Sequence, residues 1–293
     1  MPRGIRFSHV GARPRGSGAV RGASTMRAMS YADSHPFSRT RWSEYRHSLW
    51  LLTTRDLKVR YTTSALGYLW SILDPLVMAA IYWFVFTQVF QRLVGTEPYI
   101  VFLLAGLLPW MWFNGAVSDS TRAFLKDAKL VRSTKLPRTI WVNRIVLSKG
   151  IEFVLALPVL ALFAIFGGAR VGWELAYFPL AIVLQAALTA GIGMIVAPLV
   201  VFFRDLERAT KLVLRFLFYA SPIIYGISNL PEPLHFWAAF NPLTGIFSLY
   251  RAGFFPGELD WFAVGVAAAM SAAFLAVGLW VFRNAERQVL KEI

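Results

Sequence analysis

RDLKVRYTTSALGYLWSILDPL, Arg55 to Leu76, changes character halfway along. Arg55, Asp56, Lys58 and Arg60 make its first half basic and polar. From Leu66 onward it is almost wholly apolar, yet Asp74 and Pro75 interrupt that run a few residues in. Asp is a good helix N-cap and Pro is favoured at the first helical position. The pair is therefore expected to restart or kink a helix that follows a basic ramp.

The rest of the chain explains what the ramp leads into. Of its 293 residues 57% are hydrophobic and 16% charged, with a mean hydropathy of +0.53. Soluble domains average about 45–50% apolar and about 25% charged. The apolar residues are also bunched, and several runs reach the roughly 20 residues that cross a hydrocarbon layer about 30 Å thick. The fold class expected is an all-α membrane protein. There is no cysteine, which excludes a disulfide framework, thiol catalysis and Cys-ligated metal. A net charge of +14 would suggest nucleic acid in a soluble protein. In a membrane protein it raises the question of sidedness instead, and no nucleic-acid partner is expected.

Six spans are expected, at about 68–90, 99–117, 140–166, 175–203, 212–225 and 261–282. Gly191, Gly193 and Pro198 are candidate weak points in the fourth, and Ser221-Pro222 breaks the fifth. The cations sort sharply between the connections. Of 30 Lys and Arg residues, 12 precede Gly67, 8 lie in Arg122–Lys149, 4 in Arg204–Arg215 and 3 from Arg283 onward. The opposite connections hold Arg92, Arg170 and Arg251 alone. By the positive-inside rule both termini are cytoplasmic, in a multi-pass protein of the cytoplasmic (inner) membrane.

Residues 1–40 are rich in Arg, Gly, Ser and Pro without apolar periodicity and read as a disordered basic tail; residues 41–293 form the membrane domain. Trp42, Tyr45, Leu49 and Leu52 recur at intervals of three and four, which predicts an amphipathic helix over 42–61 lying in the membrane interface. Between the last two spans, Leu234–Phe255 is too apolar for a free loop and is broken by Asn241-Pro242. Two short helices dipping into the outer leaflet as a re-entrant hairpin fit it.

Chemistry is sparse. His9, His35, His47 and His235 lie outside the spans without metal-ligand spacing, so no metal site is expected. Asp74 and Glu152 are the carboxylates of the apolar windows, and Glu152 follows Lys149 at a pairing distance of three residues. No P-loop pattern is present, so energy for uphill transport must come from a partner. Three readings are weighed: a transport subunit powered by a partner; a polytopic membrane glycosyl- or acyltransferase, against which the lack of DxD or HxxxxD patterns argues; and an ion channel or carrier, whose expected midplane charges are not seen.

Several stretches are similar to the membrane subunits of type-2 ABC exporters of polysaccharides, the Wzm/TagG-like permeases. They are RDLKVRYTTSALGYLWSILDPL, YIVFLLAGLLPWMWFNGAV, DAKLVRSTKLPRT, VVFFRDLERAT, and SPIIY followed by NPLTGIFSLYRAGFF. The wording looks closest to actinobacterial members that export lipid-linked cell-wall galactan, with O-antigen and teichoic-acid export as alternatives. The resemblance implies a homodimer, two copies of a separate nucleotide-binding subunit that carries the ATP and Mg, and no cofactor in this chain. It implies that a helix over Leu125–Leu136 couples to the ATPase, with Lys126, Asp127, Lys129, Arg132, Lys135, Pro137 and Arg138 at that contact. Phe203–Ala209, with Arg204 and Asp205, would be a smaller contact. The expected cargo is a lipid-linked polysaccharide moving through a conduit bounded by membrane lipid and a second copy of the chain. Aromatic rings suit sugars. Tyr82, Trp83, Phe86 and Phe90 in the first span, and Phe216, Tyr219 and Tyr225 in the fifth, are the candidates to line the path. Arg55, Asp56, Lys58, Arg60, Asp74 and Pro75 form the span entrance.

Overall fold

A computed structural model describes residues 39–62, 67–90, 95–134 and 136–292. The basic tail expected over 1–40 lies outside the described residues except for its last two positions. Ten α-helices and no strand are present among the described residues. In chain order they are α1 Arg39–Thr62, α2 Trp70–Trp83, α3 Tyr99–Ser120, α4 Ala128–Ser133, α5 Ile140–Phe166, α6 Phe178–Phe202, α7 Leu206–Ala220, α8 Glu232–Ala239, α9 Pro242–Ala252 and α10 Trp261–Glu292. A π-helical segment, Phe84–Val89, prolongs α2, and a 3-10 turn, Trp173–Tyr177, precedes α6.

Five helical stretches are long and apolar enough to cross a membrane: Ile72–Val89, Tyr99–Ser120, Ile140–Phe166, Trp173–Phe202 and Trp261–Glu286. The stretch expected as the fifth span differs. Its helix starts six residues earlier, at Leu206, and stops at Ala220, where Ser221 turns extended ahead of Pro222. At about 1.5 Å per residue these 15 residues cover about 22 Å, short of a full hydrocarbon layer. The chain nonetheless traverses the length of α3. Glu207 pairs with Arg122 just beyond one end of α3, while the Ile224 carbonyl accepts a 3.0 Å hydrogen bond from the Tyr99 hydroxyl at the other.

The helix α3 is the centre of the bundle. Sixteen of its 22 residues are buried, and α2, α5, α6, α7 and α9 pack round it. In apolar surroundings helices associate through close packing and occasional polar ties. Gln185 of α6 supplies one tie, donating to the Pro109 carbonyl of α3 at 2.7 Å. The most extensive pairing is α6 with α10. There Gly278 lies against the backbone of Gly191; a Cβ on Gly278 would fall 2.4 Å from the Gly191 carbonyl oxygen. Gly191 is a packing surface, not a break, and α6 runs unbroken through Gly193 and Pro198.

One expectation is corrected here, and one face finds its partner. Asp74 does not cap a helix: α2 begins at Trp70, and Pro75 sits buried inside it while Asp74 is exposed. The α1 face carrying Tyr45, Leu49 and Leu52 turns toward protein, continued by the buried Thr53, Leu57 and Tyr61, and packs on α5. The apolar residues that α1 leaves exposed are Trp42, Trp50, Leu51 and Val59.

The Asn241-Pro242 break does separate two short helices. Asn241 caps α9 through Oδ1, which accepts from the Leu243 amide at 3.0 Å, and its amide nitrogen donates to Ser221 Oγ at 2.8 Å. Every residue of α9 from Leu243 to Ala252 is buried.

Candidate functional site

One end of the bundle is laced by ion pairs between segments far apart in sequence. Arg55 of α1 lies 3.2 Å from both Asp56 and Asp127. Arg144, near the start of α5, has only 2% of its side chain exposed and binds Asp127 closely, with Asp56 at 3.4 Å. Its guanidinium also stands 4.8 Å from the Trp141 ring centre. A charge buried this far requires paired, hydrogen-bonded partners, and the two carboxylates match the two guanidinium groups. Burial pushes the Asp127 carboxyl up, but the bonds and charges of Arg144 and Arg55 outweigh it and hold it below the ordinary value.

A second cluster joins Arg60 to Glu152 at 2.8 Å and to Asp119 at 3.1 Å, with Lys149 2.9 Å from Glu152 as its spacing predicted. Burial disfavours the Arg60 charge, yet Glu152 and Asp119 together outweigh it and raise its pKa. In a third, Glu207 takes Arg122 at 2.5 Å and Lys211 at 2.7 Å. Hydrogen bonds from these two cations bring its carboxyl down to about 2. The α10 end joins the same region through Phe124 and Phe282, whose rings are 5.7 Å apart.

The helix α4 is held within this lattice. It is shorter than the expected 125–136, because residues 121–127 form turns and only Ala128–Ser133 are α-helical. Asp127 sits at its start, tied to α1 and α5. Arg138 closes its other end, donating to the carbonyls of Val131 and Thr134 at 2.5 and 2.9 Å. Val131 is buried beneath it. Lys126, Lys129, Arg132 and Pro137 are exposed, as are Arg204 and Asp205 ahead of α7. The structure thus divides the sequence candidates: Asp127 and Arg138 brace α4, and Lys126, Lys129, Arg132, Pro137, Arg204 and Asp205 are exposed. Lys135 lies outside the described residues.

Between α2, α3 and α7 opens a groove of about 540 Å³. Tyr82 and Tyr219, from opposite walls, both line it, with Trp110 and Phe218 between them. Ring contacts run without a gap from Phe90 to Phe86 at 6.0 Å, Phe86 to Tyr82 at 6.4 Å, Tyr82 to Phe218 at 6.0 Å and Phe218 to Trp110 at 5.5 Å. Toward the ion-paired end the lining becomes polar, with Asn114 and Ser118 on α3 and Lys211 and Arg215 on α7. Aromatic faces followed by amide, hydroxyl and cationic groups suit a chain with both ring faces and polar substituents. Trp83 and Phe216 are exposed and lie outside this groove, while Tyr225 is half-buried and donates its hydroxyl to the Tyr219 carbonyl at 3.1 Å. Trp110, Asn114 and Ser118 went unnoticed in the sequence. Lys211, Arg215 and Tyr219 recur every four residues, a helical spacing that marks one wall. A smaller cavity of about 110 Å³ brings Asp74 together with Lys149 and Glu152 beside Pro75. Among the described residues no three His, Asp or Glu side chains gather as a metal ligand set.

Far from the ion-paired end, Arg251 of α9 is fully buried without a bonded carboxylate. It donates to the carbonyls of Pro222 at 2.6 Å and Ile223 at 2.7 Å and lies 3.6 Å from the Phe102 ring centre. Gly106 leaves room for it: a Cβ there would fall 2.8 Å from the guanidinium. Counted in the sequence as the lone cation of an outer connection, Arg251 is instead a pin joining α9, the α7 exit and α3.

This is a multi-pass helical membrane protein with a groove along its central helix and a short basic helix braced by ion pairs at one end. It belongs to the ABC-2 type transporter family, which residues 47–255 match. The chain is 34% identical over 235 residues to the O-antigen export system permease protein RfbA of Klebsiella pneumoniae, an overlap covering 80% of this chain and 90% of that protein. It is 28% identical to the O-antigen export system permease protein RfbA of Myxococcus xanthus, over 85% of this chain and 96% of the relative. With the polysialic acid transport protein KpsM of Escherichia coli it shares 24% identity, over 82% and 93% of the two chains.

Proposed function

We propose that the chain is the permease subunit of an ABC transporter that exports a polysaccharide across the cytoplasmic membrane. The observation that carries this reading is the aromatic groove between α2, α3 and α7, in a chain whose relatives are named for O-antigen and polysialic acid transport. A separate ATPase supplies the power, holding the ATP and Mg. Its docking face is the exposed side of α4 with Lys126, Lys129 and Arg132, helped by Arg204 and Asp205. Movement there passes to α1 and α5 through Asp127, Arg55 and Arg144.

Two such permeases and two ATPase subunits make up the transporter, with the conduit between the permease copies. Both termini are cytoplasmic. The passage from Glu207 to Ile224 along α3 supports six crossings, the fifth completed by the turn after α7. The burial of α9 supports a hairpin set among the spans, and the exposed Trp42, Trp50 and Leu51 support a membrane-interface position for α1. The cargo is a lipid-linked polysaccharide, O-antigen-like or a cell-wall galactan. No observation favours the transferase reading.

Reconstitution with the cognate ATPase tests this. Polymer export should require ATP, and Tyr82→Ala with Tyr219→Ala should cut it at least tenfold at unchanged expression. Export that proceeds without any ATPase, or labelling that places Lys129 outside the cell, overturns the proposal.

A further inference from the structure

A second groove, of about 450 Å³, opens where α1 meets α5. Ser43, Arg46, His47 and Trp50 line it from α1, recurring at intervals of three and four, with Leu49 of the same helix and Leu147 of α5. Three polar side chains and three apolar ones therefore share one opening. It has no residue in common with the aromatic groove beside α3.

No carboxylate lines this groove, and Glu44, the acid next to it in sequence, is exposed outside the lining. Arg46 is exposed and enters none of the ion pairs among the described residues, whereas Arg55 and Arg60 further along α1 are engaged. A guanidinium beside an imidazole and a hydroxyl suits an anion with several acceptor oxygens, and a guanidinium matches phosphate in two-point geometry. The apolar half indicates what carries that phosphate. Val154, Leu162 and Ile165 lie about two, four and five turns beyond Leu147 on α5, and all three are exposed. Val154 stands about 10 Å from Leu147 along the axis, within the half-layer of about 15 Å that an acyl chain fills. Trp50 and Leu51 are exposed on the α1 side, and Trp is favoured at headgroup depth. A free anion leaves this apolar track unused, and a soluble protein does not reach a track that runs into the hydrocarbon.

We infer that this groove seats an anionic phospholipid of the cytoplasmic leaflet: Arg46 and His47 hold its phosphate, and Trp50 and Leu147 lead an acyl chain onto the exposed face of α5. The inference rests on the reading that α1 lies in the membrane interface. A lipid in this seat bridges α1 and α5, the helices whose Arg55 and Arg144 also hold Asp127. The lipid is therefore a structural ligand of the same corner of the molecule, distinct from the transported cargo.

Native mass spectrometry of the full chain tests it with four probes: phosphatidylglycerol, phosphatidylcholine of the same acyl chains, inorganic phosphate, and a polyprenyl-diphosphate-linked disaccharide. Phosphatidylglycerol should bind at least tenfold tighter than phosphatidylcholine. Arg46→Gln should remove about tenfold of that affinity, the weight of one charge-assisted contact, and Arg46→Lys should restore part of the loss. Leu147→Asp, which sets a carboxylate in the groove, should weaken phosphatidylglycerol more than phosphatidylcholine. Arg208→Gln, an exposed cation of α7 outside the groove, should leave the tight binding unchanged and controls for general surface charge. Equal affinity for the two phospholipids, or wild-type binding by Arg46→Gln in a chain of unchanged melting temperature, overturns the inference. So does displacement of the lipid by inorganic phosphate, which would make the site one for a free anion, or by the disaccharide probe at equal concentration, which would make it one for cargo. A spin label on a cysteine at position 51, in a chain without native cysteine, separates the two levels of the argument. A label in bulk water removes the interface position of α1 and the lipid seat with it. A label at headgroup depth without any preference for phosphatidylglycerol keeps the interface position and removes the seat alone.

Discussion

The guanidinium of Arg251 lies over the Phe102 ring, 3.6 Å from its centre, and donates to the backbone carbonyls of Pro222 and Ile223. Such a charge is retained in an interior by the groups it satisfies. Arg251→Met should orphan the Pro222 and Ile223 carbonyls and destabilise the chain by about 2 kcal/mol, the penalty for buried acceptors less the relief of a buried charge. Gly106→Ala should also destabilise, because its Cβ would meet the guanidinium. On the Arg251→Met background that alanine should cost much less. Thermal melting of the four chains in detergent reads the coupling, and additive losses would refute the contact.

The Asp127–Arg144 pair makes the second case. Removing one partner of a buried ion pair leaves the other uncompensated, at about 3–5 kcal/mol. Asp127→Asn should therefore lower the melting temperature sharply and loosen α4 from α1. The double change Asp127→Leu with Arg144→Met should recover much of the stability but not ATP-driven export, since the charged tie of α4 to α1 and α5 is gone.

Acid should act on the same end of the molecule. Glu207 titrates at about 2 where an ordinary glutamate titrates at 4.5, because Arg122 and Lys211 donate to its carboxylate. A lowered folded pKa means that its contribution is complete above pH 4.5 and disappears as pH falls from there toward 2. Asp127, also lowered, moves with the same sign. Melting temperatures from pH 6 to 3 should fall for the wild type and less steeply for Glu207→Gln. Parallel curves would show that the pairing does not contribute.

The contact of Gly191 with Gly278 is testable by size alone. Gly278→Val places branched carbon where a Cβ would be 2.4 Å from the partner carbonyl, and α6 and α10 must separate. Overpacking of this kind costs about 1–3 kcal/mol. Gly265→Val on the same helix, where a Cβ meets nothing within 4 Å, should be tolerated. Limited proteolysis should open the first variant and spare the second.

How much of this was legible in the sequence differed by element. Hydropathy located α5 at Ile140–Phe166 and the starts of α3 and α10, because long apolar runs bounded by charge have one solution in a membrane. The Asn241-Pro242 break separated α8 from α9 through the cap chemistry of asparagine. Asp74-Pro75 misled, since a proline near the start of a helix is tolerated once neighbouring helices enclose it. The Tyr45 face of α1 was legible as an apolar stripe, but periodicity does not name the partner of such a stripe, which is α5. At the site, Tyr82 and Tyr219 were found as aromatics near spans. Their convergence with Trp110 and Asn114, and the burial of Arg144 and Arg251, depend on contacts between different helices, up to 149 residues apart, which local pattern does not contain.

The enclosure of α9 bears on how the protein is made. Three of the helices that cover it are α3, α6 and α10, and α10 leaves the ribosome after α9. Until α10 inserts, Leu243 to Ala252 lacks one wall of its seat, and the Arg251 pin cannot be fully sheltered. A chain truncated at residue 260 should therefore be recognised by quality-control proteases as unfinished, whereas the chain that includes α10 should not.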